Sequence, residues 1–132
     1  MTDKKCPYCD FDEYDIIDKN EFAVILPDPN PLSKGHCVVT PLRHVSSFFD
    51  ITSKEHQGLL TLLEIARHET QLRHQPDGFH IGFNDGEVFG QTSDHFHIHV
   101  IPYYKNQPFK LDQRWGVQKD EFFLPIEQGL HF

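Results

Sequence analysis

Residues 95–102 read His-Phe-His-Ile-His-Val-Ile-Pro, a strict alternation of imidazole and apolar side chains. This alternation is the pattern of an extended strand with one buried face. Successive side chains of a strand point to opposite sides, so His95, His97 and His99 share one face. Phe96, Ile98 and Val100 share the other, which must lie on a core. Same-face neighbours sit about 6.6–6.8 Å apart, from a rise of roughly 3.3–3.4 Å per residue. That spacing is too wide for the three rings to hydrogen-bond one another. Nor do adjacent side chains of one straight strand converge easily on a single ion. Three separate tasks along one extended ligand are therefore expected. A solvated face that happens to use histidine explains one imidazole more readily than three in alternation.

The rest of the chain supplies a partner for the apolar face. Glu21 to Leu26 and His36 to Thr40 read as strands, separated by the breaker Pro-Asp-Pro-Asn-Pro and Gly35, and closed by Pro41. They suggest an antiparallel pair. Thr52 and Glu55 have capping-box spacing, and Leu59, Leu60, Leu62, Leu63, Ala66 and Leu72 follow at mostly helical intervals. This predicts a helix from about residue 53 to about 75, stopped by Pro76, Asp77 and Gly78. Phe79 to Phe83 alternates as a further strand, and Asn84 to Gly90 reads as a loop. From Tyr103 onward there is no clear period. The expectation is an α+β fold: an antiparallel sheet with one main helix packed on a face. It forms a single domain over residues 1–132, with a core at about 6–102 and a C-terminal extension at 103–132.

Charge narrows the partners. Twelve Lys and Arg stand against twenty Asp and Glu, a formal charge of -8. Nucleic acid is not expected, because backbone binding needs a basic face. A small anionic ligand remains open if the site makes its own positive potential. Lys34 and Arg43 are candidates for offsetting the acid balance, though isolated basic residues are usually solvated. No apolar run approaches the roughly 20 residues of a membrane span, and Met1 to Asp10 lacks the apolar core of a secretion signal. The expected compartment is the cytosol. Of three cysteines, Cys6 and Cys9 form Cys-Pro-Tyr-Cys, while Cys37 sits in an apolar strand as a small core residue. The pair has knuckle spacing for a tetrahedral metal; free thiols and a redox pair are the alternatives.

Imidazole is a nucleophile when neutral and an acid when charged, near neutral pH. A histidine nucleophile divides a hard transfer into two steps through a covalent intermediate. Phosphorus is a suitable target, and Gly90, Gln91, Thr92 and Ser93 could supply donors to phosphoryl oxygens. At this point the sequence resembles a known family. His-Phe-His-Ile-His-Val-Ile is similar to the histidine triad (HIT) signature. Asn84, Gly90-Gln91-Thr92 and the stretch from Pro31 to His44 extend the match.

The resemblance implies hydrolysis or transfer of nucleoside monophosphates from nucleoside phosphoramidates or dinucleoside polyphosphates. It implies His97 as the nucleophile at the α-phosphorus, His99 as phosphate contact and leaving-group helper, and His36 as a member of the active-site hydrogen-bond network. Gln91 and Thr92, with Gly90, would hold phosphate oxygens. Asn84 would order that loop or meet a ribose, and Asp28 would bind ribose hydroxyls. Ordinary turn roles for Asp28 and Asn84, and a polar strand-end role for His36, are the alternatives. The resemblance also implies a structural Zn²⁺ on Cys6, Cys9, His44 and His95, and a homodimer. Four protein ligands would leave that ion no open position for catalysis.

The sequence departs from the family at Tyr103, where arginine is common, at Phe89 and at Asp94. These changes bear on leaving-group preference and phosphate affinity. A non-catalytic nucleotide-binding sensor or adaptor is the competing class, and retention of His97 favours the enzyme. A sugar-phosphate nucleotidyltransferase usually carries glutamine where this chain has His99.

Overall fold

A computed structural model describes residues 6–86 and 94–109. Among these residues, five strands form one antiparallel sheet: β1 (Asp18–Lys19), β2 (Ala23–Pro27), β3 (Cys37–Pro41), β4 (Gly78–Gly82) and β5 (Ile98–Tyr103). Their order across the sheet is β1-β2-β3-β5-β4. One helix, α1 (Ser53–His74), packs on one face. The α+β expectation holds, and the helix and three of the expected strands lie within two residues of their predicted bounds. β1 has two exposed residues and no alternation, so the sequence carried no signal for it. The segment from 110 lies outside the described residues. No described helix is long and apolar enough to cross a membrane.

The helix starts where the capping box predicts. Glu55 N–H donates to Thr52 Oγ1 at 3.1 Å, and Thr52 N–H donates to Glu55 Oε1 at 2.8 Å. It ends at Gln75 in the left-handed region (φ 52), and Pro76 follows. Leu59, Leu62, Ala66 and Thr70 form its buried stripe. Leu60 and Leu72 lie off that stripe and are 60% and 62% exposed. Gly58 sits where the helix crosses the turn before β2; a Cβ there would meet Phe22 Cβ at 2.9 Å. Asn20 fastens the same crossing, donating to Gly58 O at 3.0 Å and accepting from the N–H groups of Phe22 and Ala23.

The sheet has apolar packing on both faces. Ala23, Ile25, Cys37, Val39, Phe96, Ile98 and Val100 meet α1. On the opposite face Val24, Leu26 and Val38 pack with Tyr8, Phe11 and Ile16 from the N-terminal segment. Burying each large apolar side chain is worth about 1.5–3 kcal/mol.

The histidine-rich strand begins later than its alternation suggests. It pairs from Ile98 onward, not from His95. The β3–β5 register sets Val39 opposite Ile98, and continuing it would set Pro41 opposite Phe96. Proline has no N–H to donate, so the ladder stops. Phe96 is held by other means. Its carbonyl accepts from Thr40 Oγ1 at 2.7 Å, and its N–H donates to Val45 O at 2.7 Å.

Candidate functional site

The three histidines occupy three different environments, as the spacing predicts. The first, His95, is fully buried beside Cys6, Cys9 and His44. Its Nδ1 stands 3.3 Å from Cys6 Sγ and 3.4 Å from Cys9 Sγ, and His44 Nδ1 stands 3.2 Å from Cys9 Sγ. A tetrahedral zinc with bonds of about 2.3 Å to sulfur and 2.0–2.1 Å to nitrogen separates such atoms by roughly 3.5 Å. The outer partners fit as well. His95 Nε2–H donates to Pro41 O at 2.8 Å, and His44 Nε2 lies 3.4 Å from Asp94 Oδ1. The Pro41 carbonyl thus places the His95 proton on Nε2 and turns its Nδ1 lone pair inward, as metal-ligating histidines require, while Asp94 stands behind His44. Burial and the neighbouring Cys6 push the Cys9 thiol up to about 11. A divalent cation between the sulfurs would reverse that. The donor set fits a closed, four-ligand metal ion. Asp94, an extra negative charge in the sequence, is turned toward this cluster.

His97 is 8% exposed. Its Nδ1–H donates to His95 O at 2.9 Å, which leaves the lone pair on Nε2. Burial holds its pKa down at about 4, against the opposing pull of the His95 carbonyl, so the ring is neutral at pH 7. The ring of Tyr8 stacks on it, with centroids 4.5 Å apart and planes at 26°. His99 meets it edge-on at 5.0 Å.

His99 belongs to the third environment, with His36 and Asp28. His36 Nε2 lies 3.0 Å from His99 Nδ1, and Asp28 Oδ2 lies 3.3 and 3.4 Å from those two nitrogens. Leu32 N–H donates to His36 Nδ1 at 3.0 Å, so that nitrogen carries no proton and Nε2 does. The inner side of this cluster therefore holds a proton. Asp28 sits in the turn between Pro27 and Pro29. Its Oδ1 accepts from Asn30 N–H at 2.8 Å, while Oδ2 faces the imidazoles. The turn role and the site role thus coexist, one on each oxygen. Burial raises the carboxyl, but the bonds from His99 and the Asn30 N–H outweigh it and lower the pKa to about 2.

Asn84 stands two residues beyond β4, at the approach to Gly90, Gln91 and Thr92, which lie outside the described residues together with Phe89. Arg43, a candidate phosphate neighbour, is committed elsewhere. Its guanidinium forks onto Glu55 with two 2.9 Å bonds and ties the loop carrying His44 to the start of α1. Cys37 is buried as expected, and desolvation pushes its thiol up to about 12. Three elements were not read from the sequence: the Tyr8 stack, the Leu32 amide and the Arg43–Glu55 fork. Of these, only Tyr8 had a visible cue, its place between the two cysteines. Beside it opens a groove of about 310 Å³ lined by Pro7, Tyr8, Phe11, Leu26, Pro27 and Pro29, with Asp10, Asp12 and Asp15.

Comparison with known proteins agrees with this geometry. The model of the HIT domain matches residues 12–106. An uncharacterized HIT-like protein of Mycoplasma genitalium is 31% identical over 108 residues, which are 79% of this chain and 77% of that protein. The bis(5'-adenosyl)-triphosphatase of Saccharomyces cerevisiae is 30% identical over 88 residues, 66% of this chain and 43% of the enzyme. Among solved structures, a HIT family protein from Bacillus anthracis aligns with a TM-score of 0.68 at 27% identity, over 87% of this chain and 81% of that one. The diadenosine triphosphate hydrolase of Plasmodium falciparum aligns with a TM-score of 0.70 at 25% identity, over 79% and 71%. With its triad, its sheet and these matches, the chain belongs to the HIT-domain family.

Proposed function

We propose that the chain is a nucleotidyl hydrolase or transferase that works through a covalent nucleotidyl-histidine at His97. The observation that carries this reading is the state of that ring: buried, neutral, with Nδ1 bound to the His95 carbonyl and the Nε2 lone pair left for attack. The similarity to two dinucleoside triphosphate hydrolases supports it at the level of reaction class.

In this mechanism His97 Nε2 attacks the α-phosphorus and forms a P–N bond. The bond from phosphorus to the leaving nitrogen or oxygen breaks, and the leaving group takes its electron pair and a proton from His99. Water then attacks the same phosphorus and gives a proton to His99, the P–N bond breaks, and nucleoside monophosphate leaves with His97 Nε2 and the His99 proton restored. His99 is suited to the acid step. When it carries a second proton, Nδ1–H finds Asp28 Oδ2 3.4 Å away, so the positive charge has a buried partner. His36 Nε2–H then faces the same carboxylate oxygen, 3.3 Å away. Asn84, Gly90, Gln91 and Thr92 are assigned to the phosphate and its loop, and Asp28 Oδ2 also to ribose hydroxyls. A structural Zn²⁺ on Cys6, Cys9, His44 and His95 supplies a cross-link between the N-terminal segment and the triad. Free thiols ready for metal fit the cytosol.

The test is release of nucleoside monophosphate from a nucleoside phosphoramidate, dinucleoside polyphosphates and a nucleotide sugar, comparing wild type with His97→Ala. Turnover by wild type and loss of roughly 10³-fold or more in the variant is expected for removal of a covalent nucleophile. Nucleotide binding by both without turnover by either would replace this reading with the sensor.

A further inference from the structure

We propose that Tyr8 is a positioning residue for His97, and that the metal on the Cys6–Cys9 knuckle is what holds Tyr8 in place. The proposal rests on the reading of His97 as nucleophile.

Tyr8 is one of only two residues between the cysteines, so both sulfurs fix its backbone. The knuckle turn is closed by Cys9 N–H and Asp10 N–H, which donate to Cys6 O at 3.1 and 2.9 Å. From that turn the phenol reaches over the sheet face away from α1 and lies on His97 at 4.5 Å, nearly parallel. It also leans on His95 at 5.7 Å. His97 is then constrained from three directions. The His95 carbonyl fixes the rotation of its ring about χ2, His99 touches it edge-on, and Tyr8 covers one face. Of these three, Tyr8 alone comes from outside the triad segment. Its segment packs on Val24, Leu26 and Val38 through Tyr8, Phe11 and Ile16, while Cys6 is half-buried and Cys9 exposed. An ion held by Cys6, Cys9, His44 and His95 would add a cross-link from this segment to the triad strand. The ion acts on His97 through Tyr8, with no contact of its own with the nucleophile.

Two readouts test this without requiring turnover. The first is the rate at which diethyl pyrocarbonate modifies His97, resolved by peptide mass spectrometry. The second is the His97 ring tautomer, seen by long-range proton–nitrogen NMR. Both are measured on metal-loaded wild type, chelator-stripped wild type, Tyr8→Phe and Tyr8→Ala, with metal per chain and circular dichroism recorded for each.

Loaded wild type and Tyr8→Phe are expected to show slow modification and a single Nδ1–H tautomer. Tyr8→Ala, with metal retained, and the stripped protein are expected to react roughly two- to tenfold faster and to show mixed tautomers. Equal rates and one tautomer throughout would overturn the proposal. A stripped protein identical to the loaded one would overturn the part assigned to the metal. Where a substrate turns over, Tyr8→Ala should lower kcat with little change in KM. A rise in KM alone would make Tyr8 a binding wall and overturn the positioning role. If wild type turns over nothing, the enzymatic reading fails, while the two readouts still decide what Tyr8 does.

Discussion

The Cys6–Cys9–His44–His95 cluster and the Asp28–His36–His99 cluster flank the same imidazole, His97, and in each the ligand-type atoms lie within 4.8 Å of one another. By composition and spacing alone either could hold a metal. Their outer hydrogen bonds separate them. In the first, the far nitrogens of His95 and His44 face Pro41 O and Asp94, and the His95 lone pair turns inward. In the second, the Leu32 amide occupies the far nitrogen of His36, and the inward nitrogen must keep its proton. A metal there would leave that imidazole with no proton at all. One backbone N–H, on a residue with no chemistry of its own, keeps a proton on the inner side of the second cluster. The role of a histidine is set as much by what stands behind it as by what stands beside it.

The largest effect should come from breaking the first cluster. Cys9→Ser should lower metal well below one ion per chain and cost several kcal/mol of stability, read as a fall in Tm that chelator does not deepen. Metal retained at one per chain would show that these four residues are not its ligands. Next is Asp28→Asn, which addresses the second cluster alone. Turnover should fall roughly 10–100-fold while metal content stays at the wild-type value, since loss of an acid–base partner costs at least that much. Loss of metal in this variant would merge the two clusters.

A smaller effect is expected at the loop that carries His44. The fork from Arg43 and the Thr52 amide hold Glu55 down at about 2, although burial opposes them. Because this pKa is lowered on folding, the carboxylate stabilises the fold above its unfolded value near 4.5. That contribution is lost as pH falls toward 2. Glu55→Gln should cost about 1–3 kcal/mol at pH 7 and flatten the acid limb of a Tm-against-pH curve over that window. An unchanged acid limb would place the acid sensitivity elsewhere, with Asp28 as the other lowered carboxylate. The smallest change is Thr40→Val, which removes the hydroxyl that donates to Phe96 O and should cost about 1 kcal/mol in chemical denaturation.

The sequence made legible what depends on period and on residue type. The shared face of the triad and the capped helix follow from side chains recognisable one at a time, and the gathering of Cys6, Cys9, His44 and His95 from the family resemblance. The elements it concealed depend on the backbone or on pairs distant in sequence. Leu32 acts through its amide, which every residue but proline has. Arg43 and Glu55 meet across a turn, and neither is unusual alone. Asp28 could be read as a turn residue or as a site residue, because an alternation or a motif does not tell which oxygen faces where. The late start of β5 was written in Pro41, but only once the register set that proline opposite Phe96.

Pro41 also divides the triad. Lacking an N–H, it ends the β3–β5 ladder, and with its carbonyl it orients His95. Histidines beyond this border answer to the sheet: His99 sits within β5, which two neighbouring strands hold in register. His95, before it, answers to the N-terminal segment. The two halves are therefore free to drift separately. A descendant chain could trade both cysteines for other residues and keep β5 in register, losing an anchor without scrambling the order of its histidines. Replacing Pro41 itself is the riskier step, because an added N–H invites the ladder to extend and draws His95 out of one neighbourhood and into the other.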